Sequence, residues 1–361
     1  MNCTENKSNK RNDISIAKAI GIILMVAGHI FITNETQPLH DFIYSFHMPL
    51  FFILSGFCFS KKHLSSFKPY IRKKIHSLYF PYVIWLSFFA ILHNFLFHIG
   101  IYNTTDLWGC EGIYTCERFF LNLYNIAIHL DGKEILVGQL WFVRTLFFVC
   151  IFSWITIKLI NKKKVRQKTH FFFISFLIIV SPLILYMNLN RIPFLHMNNW
   201  IYWGFTMYLF GYFFRNWEKP IPWYAVLISF LYILAICLKS PVTHPDYRSI
   251  YIYTSTSILG FFMIFGIAHY LVKMRISRAL VYIGNHTMPI LILHFIIFRT
   301  ITYFIVMLSN GNTIILSYHP LPEDYVSYFW WIYLILGILI PILVYDLVVR
   351  IPIVHKILSY F

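Results

Sequence analysis

Charge is what this sequence has least of. Of its 361 residues only 12% are Asp, Glu, Lys or Arg, and the acidic ones number 14 against 30 basic. Soluble domains average about 25% charged residues, so composition argues against a large soluble enzyme and for a chain threaded repeatedly through a bilayer. A net charge of +16 points to nucleic acid in a soluble protein. Here the basic residues fall in short loops between apolar runs, and no nucleic-acid partner is expected. A cleavable signal peptide is also missing. The first apolar run follows the basic tail "NKSNKRND" without a small-residue cleavage site, so it is read as an anchor. Nor is there an internal repeat: the halves do not echo one another in length, charge or Pro/Gly placement. That weakens a transporter built from inverted repeats.

What the sequence does have is apolar length, with 58% hydrophobic and 20% aromatic residues. Runs of about 18 to 25 apolar residues recur throughout, each enough to cross a hydrocarbon core of roughly 30 Å. Ten spans are expected, at about 14–33, 42–59, 79–99, 137–158, 170–187, 199–215, 221–239, 250–272, 280–305 and 328–349. The expected fold is an all-α polytopic membrane protein with about ten transmembrane helices. Residues 1–13 are read as a basic cytoplasmic tail, 14–349 as one transmembrane domain, and 350–361 as a short cytoplasmic C-terminus. The loops 100–136 and 306–327 are the outer connections with room for further structure.

Lys and Arg placement gives the orientation. One set of connections holds Lys7, Lys10, Arg11, "KKHLSSFKPYIRKK", "KLINKKKVRQK", "RNWEK", "KMRISR", Arg350 and Lys356; the other holds only Arg118, Lys133, Arg191, Lys239 and Arg248. Both termini are therefore placed in the cytoplasm. Of six cysteines, Cys58, Cys150 and Cys237 fall within spans and Cys3 in the tail. Cys110 and Cys116 share the outer loop 100–136, where a disulfide and two separate thiols both fit.

An ionisable side chain at a helix centre costs about 2.5 to 3.5 kcal/mol on insertion scales, so each one needs a reason. Lys18 lies near the cytoplasmic end of the first span. His29 comes eleven residues later, about 16 Å further along and within roughly 20° of the same helical face. One groove across the membrane would meet both. His47, Arg144 and Arg299 are placed at a similar outer depth, with His294 nearer mid-membrane. Snorkelling of Lys18 to the headgroups is the plain alternative. His93, His98 and His269 are read as packed histidines bonded to backbone carbonyls. Arg144 is harder to set aside, because a guanidinium is always charged.

These residues resemble a known family. A basic residue, ten intervening residues and a Gly-His pair in the first span (Lys18, Gly28, His29) is the pattern of the integral-membrane acyltransferase family 3. "FIYSFHMPLFFILSGFCF", with His47, Met48, Pro49, Ser55 and Gly56, resembles that family's next segment. "YIRKKIHSLYFPYVIW" is similar to its basic loop and third-span entry, "LWFVRTLF" to its Leu-Trp-Phe segment, and "IGNHTMPILILHFIIF" to its late span with a terminal histidine, His294. The similar segments run in the family's order from residue 18 to 298. The His-Met-Pro-Leu-Phe-Phe version is most similar to the fucose 4-O-acetylase-like, sugar-modifying branch. One departure stands out. Members often carry an acid three residues before the basic one, where this chain has Ser15; Asp13 is the nearest acid.

The resemblance implies an enzyme of the inner (cytoplasmic) membrane that moves an acyl group, usually acetyl from acetyl-coenzyme A. The acceptor is a hydroxyl of a surface polysaccharide or its lipid-linked saccharide precursor, met on the outer side. Such a transfer needs a general base and stabilisation of a developing oxyanion. His29 is the expected base, and Gly28 would let substrate approach the backbone. Arg144, with or without His47, is expected to stabilise the thioester oxygen or hold the sugar. Gln139, Trp141 and His294 are assigned to the acceptor. Lys18 is expected at the coenzyme A phosphates, with Arg72, Lys73, Lys74, Arg275 and Arg278 as weaker candidates whose alternative is a solvated basic loop. No metal is expected. Direct attack and a covalent acyl-histidine step both fit. A transporter or flippase for a polar solute also predicts intramembrane His and Arg, and a non-enzymatic receptor or assembly factor is the third class.

Overall fold

The computed structural model describes residues 2–31, 33–102, 111–162, 167–186, 199–215, 217, 219–309, 321 and 323–350. All regular structure among the described residues is helical, in agreement with an all-α chain, and they include no strand. In order, the α-helices are α1 (Asn2–Gly28), α2 (Gln37–Tyr44), α3 (His47–Phe57), α4 (Phe67–Lys74), α5 (Phe80–His98), α6 (Cys116–Tyr124) and α7 (Trp141–Lys162). They continue as α8 (Gln167–Tyr186), α9 (Asn199–Phe214), α10 (Trp223–Lys239), α11 (Ile250–Leu271), α12 (Ser277–Asn285), α13 (Thr287–Leu308) and α14 (Glu323–Arg350). Short 3-10 turns at Lys61–Leu64 and Ile135–Leu140 and π turns at Ile75–Tyr79 and Asn125–His129 extend or join them.

Five stretches are long and apolar enough, by length and composition, to cross a bilayer: Phe67–His98, Ile135–Asn161, Ile250–Leu271, Thr287–Leu308 and Tyr328–Arg350. Phe172–Ile184 and Trp223–Lys239 are apolar but shorter. Large apolar side chains such as Ile91, Phe172, Leu238 and Phe304 stand exposed on these helices, as lipid-facing surfaces require.

Proline explains where two expected spans divide. The span anticipated at 42–59 is cut between α2 and α3, and the one at 280–305 between α12 and α13. Pro49 is the third residue of α3 and Pro289 the third of α13. In a continuous helix each ring would strike the carbonyl four residues earlier, that of Ser45 or Asn285. The chain breaks and restarts instead, with proline in a first turn where its missing N–H goes unneeded. The break leaves the Ser45 carbonyl without a helical donor, and the Thr256 hydroxyl supplies one at 3.1 Å.

The chain groups into two compact units. The first comprises Met1–Met25, Pro38–Lys74 and Thr145–Thr287. Within it α3 and α9 meet at backbone distance. Gly56 lies against the Tyr208 carbonyl and Gly211 against the Ile53 carbonyl, so a Cβ at either would strike main chain. Small residues facing each other in this way are how apolar helices associate closely without a hydrophobic driving force. Tyr70 on α4 donates its hydroxyl hydrogen to the Cys150 carbonyl on α7 at 3.0 Å. Ser15 of α1 presses its carbonyl against Gly284 of α12, and its hydroxyl bonds Asn285 Oδ1 at 3.2 Å.

The second unit comprises Val26–Gln37, Ile75–Arg144 and Met288–Phe361. A carboxylate lies buried in it: Glu134, only 1% exposed. It accepts from the hydroxyls of Tyr102 (3.1 Å) and Tyr114 (2.9 Å) and the Asn122 amide (3.5 Å), and lies 3.2 Å from His93 Nδ1. His93 Nε2 is 3.2 Å from the carbonyls of both Glu111 and Gly112, and the ring stacks on Tyr114 at 3.7 Å. Both nitrogens face acceptors, an arrangement that a doubly protonated ring satisfies. This network pins α5, α6 and the segments on either side of α6 together. Residues 103–110 lie outside the described residues, so Cys110 and its anticipated pairing with Cys116 do too; most of 306–327 does likewise.

Candidate active site

His29 is the residue the sequence weighted most, and its backbone is not what the helical period implied. Helix α1 ends at Gly28. The chain then turns, with the amides of Ile30 and Phe31 both returning to the Ala27 carbonyl at 2.9 Å. A glycine costs a helix about 1 kcal/mol relative to alanine, so the ladder is weakest there. His29 therefore sits one residue beyond the helix, in a turn, and the shared helical face inferred for Lys18 and His29 stops short of the histidine. Lys18 belongs to the first unit and His29 to the second.

In the second unit the half-buried His29 ring meets α13. Its centroid is 5.4 Å from that of His294, with the planes 28° apart, and it packs edge-on against Phe295 at 4.8 Å. His294 is fully buried. Its Nδ1 lies 2.9 Å from the Ile290 carbonyl. A carbonyl only accepts, so Nδ1 carries the hydrogen, and the lone pair of the neutral ring is on Nε2. That Nε2 is buried and has no hydrogen-bond partner among the described residues. Gln139, in the turn Ile135–Leu140, donates its amide hydrogens to the Leu136 carbonyl at 3.3 Å and the Ile292 carbonyl at 3.0 Å. The second bond ties the start of α7 to α13 two residues before His294. The Gln139 Oε1 is likewise buried without a partner.

Trp141 opens α7 half-buried, and Arg144 follows three residues on. The Arg144 guanidinium is close enough to act electrostatically on the Tyr82 hydroxyl. That hydroxyl donates to the Leu130 carbonyl at 2.6 Å and accepts from the Gly132 amide at 3.2 Å. Arg299 lies five residues beyond His294 on α13 and is 2% exposed. The second unit thus holds His29, Gln139, Trp141, Arg144, His294 and Arg299 together.

His47 is in the first unit. It is the first residue of α3, 2% exposed, with Nδ1 3.0 Å from the Ile43 carbonyl and its ring edge-on to Tyr44 at 4.6 Å. The anticipated coenzyme A residues are all in the first unit as well. Lys18 is half-buried, and it and Lys74 both act electrostatically on the Cys58 thiol. Lys74 also lies over the Tyr70 ring at 5.7 Å. Arg72, Lys73, Arg275 and Arg278 are exposed. Asp13, whose part was uncertain from sequence, is buried with Oδ2 3.4 Å from His269 Nδ1. His269 thus faces a carboxylate instead of the backbone carbonyl expected for it.

Sequence reasoning passed over Glu134. Its signal was there, an acid set immediately before the apolar run "ILVGQLWF". A cavity of about 320 Å³ is lined by Glu111, Gly112, Ile113, Tyr114, Thr115 and Arg118, none of them a candidate from sequence. Among the described residues no three His, Cys, Asp or Glu side chains are grouped as a metal site.

A family model described as an acyltransferase domain, acyltransferase 3, matches residues 11–350. The chain belongs to the acyltransferase 3 family. It is accordingly a membrane acyltransferase, and the helices long enough to span a bilayer are those of such an enzyme. No curated protein and no solved structure matches the chain. The acyltransferase 3 match begins before Lys18 and runs past His294, so every candidate residue above falls inside it.

Proposed function

We propose that this acyltransferase moves an acetyl group from acetyl-coenzyme A to a hydroxyl of a surface polysaccharide or its lipid-linked precursor. The enzyme lies in the inner membrane with ten spans and both termini in the cytoplasm, and it is nearest to the fucose 4-O-acetylase-like branch. The reading is carried by the placement of His29. An imidazole released from its helix at Gly28 is half-open on one side and backed by the buried ring of His294 on the other. Imidazole titrates near neutral pH, which suits it to take a hydroxyl proton and return it to a leaving group.

In the reaction the acceptor oxygen bonds to the thioester carbonyl carbon while its proton passes to His29. The C–S bond then breaks and the thiolate takes that proton, giving ester and free coenzyme A. Arg144 faces the oxygen that becomes negative. Gln139 and Trp141 contact the acceptor. Lys18, with Lys74 and the exposed Arg72, Lys73, Arg275 and Arg278, meets the phosphates of the donor; Arg in particular suits phosphate geometry. The two sets divide by unit, apart from His47: phosphate-binding candidates in the first, reaction residues in the second.

The test uses full-length protein in sealed vesicles with acetyl-labelled coenzyme A and an extracted lipid-linked glycan. Alkali-labile label on the glycan, with free thiol released in equal amount, is the expected result. Solute movement with neither product would favour the transporter and overturn the reading.

A further inference from the structure

One nitrogen in the candidate active site is left over. His294 is fully buried, its Nδ1–H is committed to the Ile290 carbonyl, and the lone pair on Nε2 meets no donor. A Phe or Leu would pack among Phe295 and Phe298 without leaving a buried acceptor unmet, an omission native proteins seldom tolerate. The two cations nearest by sequence, Arg299 on the same helix and Arg144 on α7, send no hydrogen bond to it. The ring facing it is His29, with planes 28° apart and centroids 5.4 Å apart. Rotation of the His29 ring about its last side-chain bond brings one of its nitrogens toward Nε2.

We propose that His294 is the positioning residue for His29, which rests on His29 being the base. Its Nε2 accepts the N–H of one His29 nitrogen. That fixes the His29 tautomer, so the other nitrogen presents its lone pair to the acceptor hydroxyl. When His29 takes the hydroxyl proton, the imidazolium keeps its N–H on Nε2, and no proton is transferred to His294. The Ile290 carbonyl, His294 and His29 form one polarised chain, with a neutral imidazole in the role a carboxylate fills behind other catalytic histidines. Because Ile290 holds Nδ1–H, the lone pair cannot move to the wrong nitrogen.

The experiment compares His294→Phe and His294→Gln with wild type in the full-length enzyme, recording kcat, KM for acetyl-coenzyme A and the pH profile of kcat. Phe keeps the ring and removes the acceptor; Gln returns an amide oxygen near the position of Nε2. His294→Phe is expected to lower kcat roughly 10- to 100-fold with KM unchanged and a displaced pH profile. His294→Gln should recover most of the rate. Activity of His294→Phe within twofold of wild type with an unchanged profile would overturn the role. So would equal losses in Phe and Gln accompanied by equal losses of thermal stability, which is what packing alone predicts. If the Phe variant does not accumulate, His294→Leu against Gln makes the same comparison. His29→Ala runs alongside. If it is fully active, the base assignment itself fails; if it is inactive while His294→Phe is normal, only the positioning role falls.

Discussion

His93 and Glu134 face each other across 3.2 Å with their side chains 2% and 0% exposed. Removing one partner from a buried charged pair leaves the other uncompensated, a loss of about 3–5 kcal/mol. Glu134→Ala should therefore cause a large drop in thermal stability, more so because Tyr102 and Tyr114 lose their acceptor too. The double variant with His93→Phe should be less destabilised than the sum of the two single changes. Thermal unfolding in detergent reads both.

The reciprocal glycines of α3 and α9 make a second prediction. Gly56→Ala and Gly211→Ala each drive a Cβ into backbone, and overpacking of this kind costs about 1–3 kcal/mol or more. Gly138→Ala, with open space around its added carbon, should leave stability within about 0.5 kcal/mol. Equal melting temperatures for all three would contradict the close approach.

Arg144 is assigned to the developing oxyanion, so its loss should act on the chemical step. Arg144→Gln is expected to lower kcat by about 10²–10³ with KM nearly unchanged, and Arg144→Lys to keep part of the rate. A raised KM for the acceptor at constant kcat would move Arg144 to sugar binding.

Lys18 carries the donor hypothesis. Lys18→Ala should raise KM for acetyl-coenzyme A and leave KM for the acceptor alone, while Lys18→Arg stays close to wild type. Normal donor binding in Lys18→Ala would leave the lysine as a snorkelling residue.

Acid should loosen the segment around Glu111. Arg118, in a two-point contact at 2.7 and 3.0 Å, and then Lys133 at 3.2 Å hold the Glu111 carboxyl below its ordinary range. A carboxylate with a depressed folded pKa contributes fully above its unfolded value, about 4.3. That contribution is lost as pH falls through the lower, folded value. Proteolysis or hydrogen exchange of residues 111–134 should be flat from neutral pH to about 5 and rise below about 4. Glu111→Gln should show the acid behaviour at every pH.

The sequence was most informative where a residue's identity fixes its backbone. Apolar run length gave an all-α chain, and Pro49 and Pro289 marked helix starts, although not that each start would follow a break. Helical period misjudged His29, because one glycine before it was enough to end α1. The Glu134 network was out of reach for a different reason. Its donors come from residues 93, 102, 114 and 122, and nothing in local pattern says that separate segments will converge on one carboxylate. The orphaned Nε2 of His294 depends on a carbonyl four residues back accepting from Nδ1, a rotamer choice that sequence does not display.

The central claim is that His29 takes the proton of the acceptor hydroxyl. The direct measurement is turnover by His29→Ala, with acetyl-coenzyme A binding measured on the same preparation. Transfer should fall by about 10²–10⁴-fold while donor binding is retained. Transfer within twofold of wild type would contradict the account.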